Sequence, residues 1–138
     1  MKGRNRPLTD EDYVALSNFR YAIRRFQAFS EECASGIGLT PRQHQALLAI
    51  RAVDPAKATV GYVAERLILK PHSATGLIDR LEGLGLVRRQ TAENDRRRAL
   101  LRLTERAYTI LDELSGVHRD EIKRLKPLLA TIFEQLEA

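Results

Sequence analysis

This chain of 138 residues is poor in sulfur and has no tryptophan: Cys33 is its only cysteine. A lone cysteine excludes an intrachain disulfide and agrees with a reducing compartment. Long apolar runs are missing as well. No stretch approaches the roughly twenty residues that a spanning helix requires, and no signal-peptide pattern is present, so a soluble, cytoplasmic protein with no membrane partner is expected. The three histidines, His44, His72 and His118, show no i, i+4 pairing with cysteine or carboxylates, so no single-chain metal site is expected. A glycine-rich phosphate loop, a nucleophile elbow and a Ser/His/Asp constellation are also absent. An enzyme is therefore not expected, and no catalytic residue, metal or cofactor is assigned.

What is present is an ordinary globular composition, 43% apolar and 30% charged, of a length suited to one domain. The net charge of +5 is unevenly spread. Residues 1–58 carry nine basic and six acidic side chains, residues 59–104 nine and five, and residues 105–138 five and seven. The middle of the chain is attracted to phosphates and its C-terminal part is not.

Apolar periodicity predicts a mainly helical fold. Thr9 followed by Asp10-Glu11-Asp12 marks a helix start, and Leu16, Phe19, Ala22, Ile23, Phe26, Ser30 and Cys33 give that helix a stripe before Gly36 and Gly38 end it. Thr40-Pro41-Arg42-Gln43 is a capping-box start for a second, central helix, which Asp54-Pro55 stops. Ala58-Thr59-Val60 is a candidate short strand. A third helix carries Val60, Val63, Ala64 and Leu67, and a fourth, opened by Pro71, carries Ala74, Leu77, Ile78 and Leu81. Leu86–Arg89 and Ala99–Leu103 are strand candidates around a polar tip, Gln90–Arg98. A fifth helix follows Thr104, and Pro127 predicts a kink or a break before a sixth.

The order helix, turn, helix, basic hairpin over Thr59–Thr104 is that of a helix-turn-helix with a β-wing. The outward face of the fourth helix holds His72, Ser73, Thr75 and Gly76, then Asp79 and Arg80. Small hydroxyls, an imidazole and a glycine at a helix N-terminus permit close approach to base edges, and that terminus favours a phosphate. The competing reading is a plain solvated face. In the wing, Arg96, Arg97 and Arg98 stand together, poor core material suited to a narrow, negative minor groove. Asp95 is spaced to orient Arg97 through a bidentate pair.

At these residues the chain resembles the MarR family of bacterial transcriptional regulators, from about Thr9 to Leu136. The resemblance rests on Leu39-Thr40-Pro41, on Val63-Ala64-Glu65-Arg66-Leu67, on Leu77–Glu82 leading to Gly85-Leu86-Val87, and on Asp95-Arg96-Arg97 leading to Leu103-Thr104. It implies a winged helix-turn-helix lobe (residues 40–104) and terminal helices (9–36 and 105–138) that form a dimerisation region, all within one domain. The implied function is a ligand-responsive repressor, binding a pseudo-palindromic operator in double-stranded DNA as a homodimer. Carried onto this chain, His72, Ser73, Thr75 and Gly76 face bases, Arg80 reaches base or backbone, and Arg96 or Arg97 enters the minor groove. A small aromatic or phenolic effector is implied in a cleft between the dimer helices and the DNA-binding lobe.

The chain departs from the family's pattern at three places. Ala92 and Asn94 replace an earlier Asp-x-Arg copy in the wing. Gly76 stands where a larger polar residue is common. Lys70 replaces the usual capping serine, removing a cap and adding a charge near the phosphates.

Independently of the resemblance, the apolar stripes of the terminal helices exceed what one small winged lobe can cover, which favours a two-fold dimer with recognition helices about 34 Å apart. Phe19, Phe26 and Phe29, with His44 and Arg51, are the candidate effector contacts, against the alternative that they simply pack a core. Cys33 lies near a helix C-terminus beside Glu31 and Glu32, which disfavours a thiolate and makes packing its expected role. The alternative function is a winged-helix protein-interaction module without DNA binding. The arginine cluster argues against it, because interface cores are depleted in such charge.

Overall fold

The computed structural model describes residues 6–92 and 95–137, with no statement for the side chains of residues 92 and 95–97. Its first element, α1 (Asp10–Gly36), starts where its cap requires. The Thr9 hydroxyl accepts from the Asp12 amide at 3.2 Å, and the Asp12 carboxylate accepts from the Thr9 amide at 2.9 Å, a reciprocal box with an acid in its return position. Arg6 donates to both oxygens of the same carboxylate at 3.0 and 3.2 Å. The Thr9 amide, chiefly, and the Arg6 guanidinium hold the Asp12 carboxyl below the ordinary carboxylate range, with burial opposing them.

Helix α2 (Pro41–Ala52) carries the expected box: Thr40 and Gln43 exchange bonds of 3.2 and 3.0 Å. A 3-10 turn, Pro55–Lys57, follows, capped by Asp54 through the Ala56 amide. The strand expected at Ala58–Val60 does not form. Thr59 is instead the N-cap of α3 (Val60–Leu67), its hydroxyl accepting from the Tyr62 amide at 3.1 Å. Capping turns the backbone into the helix after one extended residue, so a single bond remains, from the Leu101 amide to the Ala58 carbonyl at 2.7 Å.

Helix α4 (Pro71–Gly83) leads through Gly85 into β1 (Val87–Ala92), which pairs antiparallel with β2 (Asp95–Leu103). The hairpin is longer than its apolar residues predict. Pairing runs from Val87↔Leu103 outward to Thr91↔Ala99, then shifts at a bulge to Ala92↔Asp95. The outer rungs pair Thr91 with Ala99 and Ala92 with Asp95, too short an alternation for periodicity to signal a strand.

Helix α5 (Glu105–Glu137) is continuous, and the separate sixth helix expected after Pro127 is not found. Its buried positions Ala107, Leu111, Leu114, His118, Glu121 and Leu125 follow alternating steps of four and three, and Ile132 lies one heptad further on, so the seam passes Pro127 on the same face. Pro127 itself is exposed, so its ring removes one backbone bond without disturbing that seam.

The chain divides into two compact units, residues 31–116 and residues 1–30 with 117–138. The first is cored by Leu47, Ile78, Leu81, Leu86, Leu101 and Leu114, all fully buried. In the second, Ala15, Ala22, Leu125 and Ile132 are buried. There the His118 ring meets Phe26 and Phe29 edge-on at 5.9 and 5.4 Å and lies 2.9 Å from the Ser30 hydroxyl. Of the stripe expected on α1, Ala22 is buried and Phe26, Ser30 and Cys33 are partly buried, while Leu16, Phe19 and Ile23 stand exposed. Among the described residues no helix is long and apolar enough to cross a membrane.

Candidate nucleic-acid interface

Helix α4 buries Ala74, Leu77, Ile78 and Leu81, and this fixes which residues face outward. His72, Ser73 and Arg80 are exposed, with Gly76 between them. These four, with Lys70's neighbour Leu69, form one wall of an open groove of about 840 Å³ whose other wall is the start of α2, Thr40 to Gln43. Arg42 adds a second guanidinium there, a residue that sequence patterning left unassigned because it serves equally well as a generic helix-start residue. A Cβ at Gly76 would meet no atom within 4 Å, so the glycine is not required by packing and leaves the groove open.

Two expected contacts are modified by local bonding. The Thr75 hydroxyl donates to the Pro71 carbonyl at 3.1 Å, which commits its proton and leaves its methyl and lone pairs outward. Lys70 is the N-cap of α4 and makes no side-chain cap bond, so the first-turn amides of α4 are not occupied by their own cap.

The root of the wing is held by arginines. Arg102 donates to the Pro55 carbonyl at 2.9 Å and Arg98 to the Ala56 carbonyl at 3.1 Å, both on the 3-10 turn. Arg98, grouped in the sequence with the arginines of the tip, is therefore engaged at the root. Asp95, Arg96 and Arg97 start β2, but their side chains lie outside the described residues. Arg89 on β1 reaches back to α4, donating to Asp79 Oδ1 and Glu82 Oε1 at 2.7 Å each. Sequence reasoning missed this fork, since residues seven and ten positions apart meet only through the turn between α4 and β1.

The candidate effector residues do not form one cluster within either unit. Phe26 and Phe29 pack on His118, and Phe19 is exposed on α1. On α2, His44 is buried and the Arg51 guanidinium lies 5.4 Å above the Tyr108 ring. That pair edges a small cavity of about 140 Å³ over Ile50, Ala58 and Leu101. Cys33 is partly buried against the core of its unit, as packing predicts.

Comparison with known proteins places these features. A family model described as MarR family matches residues 37–98, from the start of α2 to the root of the wing. The transcriptional regulator ZitR of Lactococcus lactis is 27% identical over 109 residues, which is 79% of this chain and 73% of ZitR. AbsC, a MarR family transcriptional regulator from Streptomyces coelicolor, superposes with a TM-score of 0.71 at 23% identity, over 87% of this chain and 81% of AbsC. A mutant of S. aureus MepR bound to an oligodeoxyribonucleotide superposes with a TM-score of 0.68 at 18% identity, over 91% of this chain and 96% of MepR. The mainly helical architecture with a two-stranded wing is the winged fold of these structures. The winged lobe, residues 37–98, thus matches the MarR family, and the relatives of this chain are described as transcriptional regulators.

Proposed function

We propose that this protein is a DNA-binding transcriptional repressor that acts as a homodimer on a pseudo-palindromic operator and is released by a small aromatic or phenolic ligand. One observation carries the DNA reading: His72, Ser73, Gly76 and Arg80 share a single open groove with the capped start of α2. In this reading α4 enters a major groove, where the imidazole, hydroxyl and guanidinium meet base edges and the bare Gly76 backbone allows close approach. The wing lies beside it, with Arg96 or Arg97 in the minor groove. The name of ZitR and the oligonucleotide on MepR support the same reading.

Dimerisation is supported by the exposed apolar positions on α1 and α5, among them Leu16, Phe19, Ile23, Ile122 and Phe133. A two-fold partner would cover them and place two recognition helices on successive turns of DNA. Ligand response requires an effector that binds the released state more tightly than the operator-bound one. Phe19, Phe26, Phe29, His44 and Arg51 remain its proposed contacts, with Arg51 on Tyr108 the most open polar group.

The test is a titration of labelled duplex from the region upstream of the protein's own gene. Arg80→Ala is expected to weaken binding by about tenfold or more, the loss typical of one good side chain–base contact. If the wild-type protein fails to bind any such duplex at low salt, the interaction-module reading replaces this one.

A further inference from the structure

Taken alone, the helix assigned to the major groove has the wrong sign. Between Pro71 and Gly83 it carries one arginine, Arg80, against Asp79 and Glu82, a net charge of −1 with His72 neutral. Both acids are exposed, with 60% and 44% of their side-chain surface accessible. A phosphate backbone approaching that flank would meet two carboxylates, and like charges brought together at a desolvated interface are strongly unfavourable.

The wing supplies the missing charge. Arg89 of β1 places one terminal nitrogen 2.7 Å from Asp79 Oδ1 and the other 2.7 Å from Glu82 Oε1, so a single guanidinium spans both acids. These are short, charge-assisted bonds whose donors come from different atoms of one planar group, a geometry a lysine cannot reproduce. Exposed pairs of this kind contribute little to fold stability. Their effect is electrostatic: with Arg89 counted, the outward surface of α4 is neutral, and Arg80 and the helix N-terminus face the phosphates without an uncompensated acid beside them.

We propose that Arg89 is a positioning residue for DNA binding, which acts by masking Asp79 and Glu82 of the recognition helix and not by touching DNA itself. The proposal rests on the DNA reading above. It also makes the strand β1 part of the recognition surface, because any movement that draws β1 away from α4 exposes two acids to the operator.

The experiment compares the wild type with Arg89→Gln, with the triple variant Asp79→Asn/Glu82→Gln/Arg89→Gln, and with Asp79→Asn/Glu82→Gln. All four are titrated against the same labelled upstream duplex, and thermal melting reports their folding. Arg89→Gln is expected to bind about tenfold more weakly near 0.1 M salt, with the gap closing as salt screens the acids. The triple variant, which lacks the bridge and the acids together, is expected to recover to within about threefold of wild type, and the double variant to bind more tightly than wild type. A triple variant as weak as Arg89→Gln overturns the masking role, because it means that Arg89 touches DNA or holds the fold. Should Arg89→Gln fail to fold, the double variant decides alone: unchanged or weaker binding overturns the proposal. Absence of binding by the wild type would instead overturn the DNA reading on which the proposal stands, so the two failures are separable.

Discussion

Ile68 occupies a place that the rest of the chain reserves for glycine. Three helices close with the same pair of bonds: Leu39 to Ala34 after Gly38, Leu69 to Ala64 after Ile68, and Leu86 to Leu81 after Gly85. Each closure needs a left-handed residue, and φ is +82° at Gly38, +53° at Ile68 and +72° at Gly85. An L-residue there suffers a clash of its Cβ worth roughly 1–2 kcal/mol, and Ile68 recovers nothing by packing, since it is 92% exposed. Ile68→Asn is therefore expected to raise stability by about 0.5–1 kcal/mol in denaturant unfolding, with helix content unchanged. No loss of packing accompanies the change, so a decrease would mean that the side chain has a partner. At this scale the sequence was partly legible. The box of Thr40 and Gln43 is a local rule and could be read directly, whereas a β-branched residue in a left-handed turn contradicts its own propensity, and the forks of Arg89 and Arg102 depend on chain reversal.

Among the elements, α1 has an acid-sensitive start. Asp12 accepts from the Thr9 amide and from Arg6, and its carboxyl titrates below its ordinary range. A folded-state value below the unfolded one contributes stability that is complete above the ordinary carboxylate range and is lost as pH falls through the depressed value. Asp12→Asn should thus melt below wild type at neutral pH, and the difference should shrink in acid until the two curves meet. Equal melting temperatures at neutral pH would show that the box does not hold the helix. The elements themselves were legible where local signals were strong: α2 begins after its capping box and α4 opens at Pro71. The errors fell where a local marker competed with longer order. Pro127 reads as a stop, yet the seam from Ala107 to Ile132 continues beneath it, and Thr59 is good strand material spent on a cap. The outer wing carried no periodic signal at all.

For the whole molecule, the stripe of α1 is the informative feature. The terminal-helix stripes were expected to exceed what one lobe can cover, and within one chain Leu16, Phe19 and Ile23 are exposed while Ala15 and Ala22 are buried. Hydrophobic periodicity reports that a face will be covered, not by which chain. With the proposed two-fold partner, Phe19→Glu should convert the dimer to monomer in sedimentation at micromolar concentration, the outcome expected when a charge replaces a central aromatic anchor. A dimer that survives would place the interface elsewhere. Winged architecture, by contrast, was legible as an order of elements, because turn chemistry and charge agreed along Thr59–Thr104. One consequence of that architecture concerns leverage. The wing is moored to the 3-10 turn behind α2 by Arg98, Arg102 and the Leu101 amide. From Arg98, the outermost mooring, to Asp95 is three residues of strand, an arm of about 10 Å at 3.3–3.4 Å per residue. Tilting such an arm by about 10° swings its end nearly 2 Å, a displacement comparable to the margin of a hydrogen bond. Whatever disturbs three residues after α2 is therefore felt, magnified, at the far end of the ribbon.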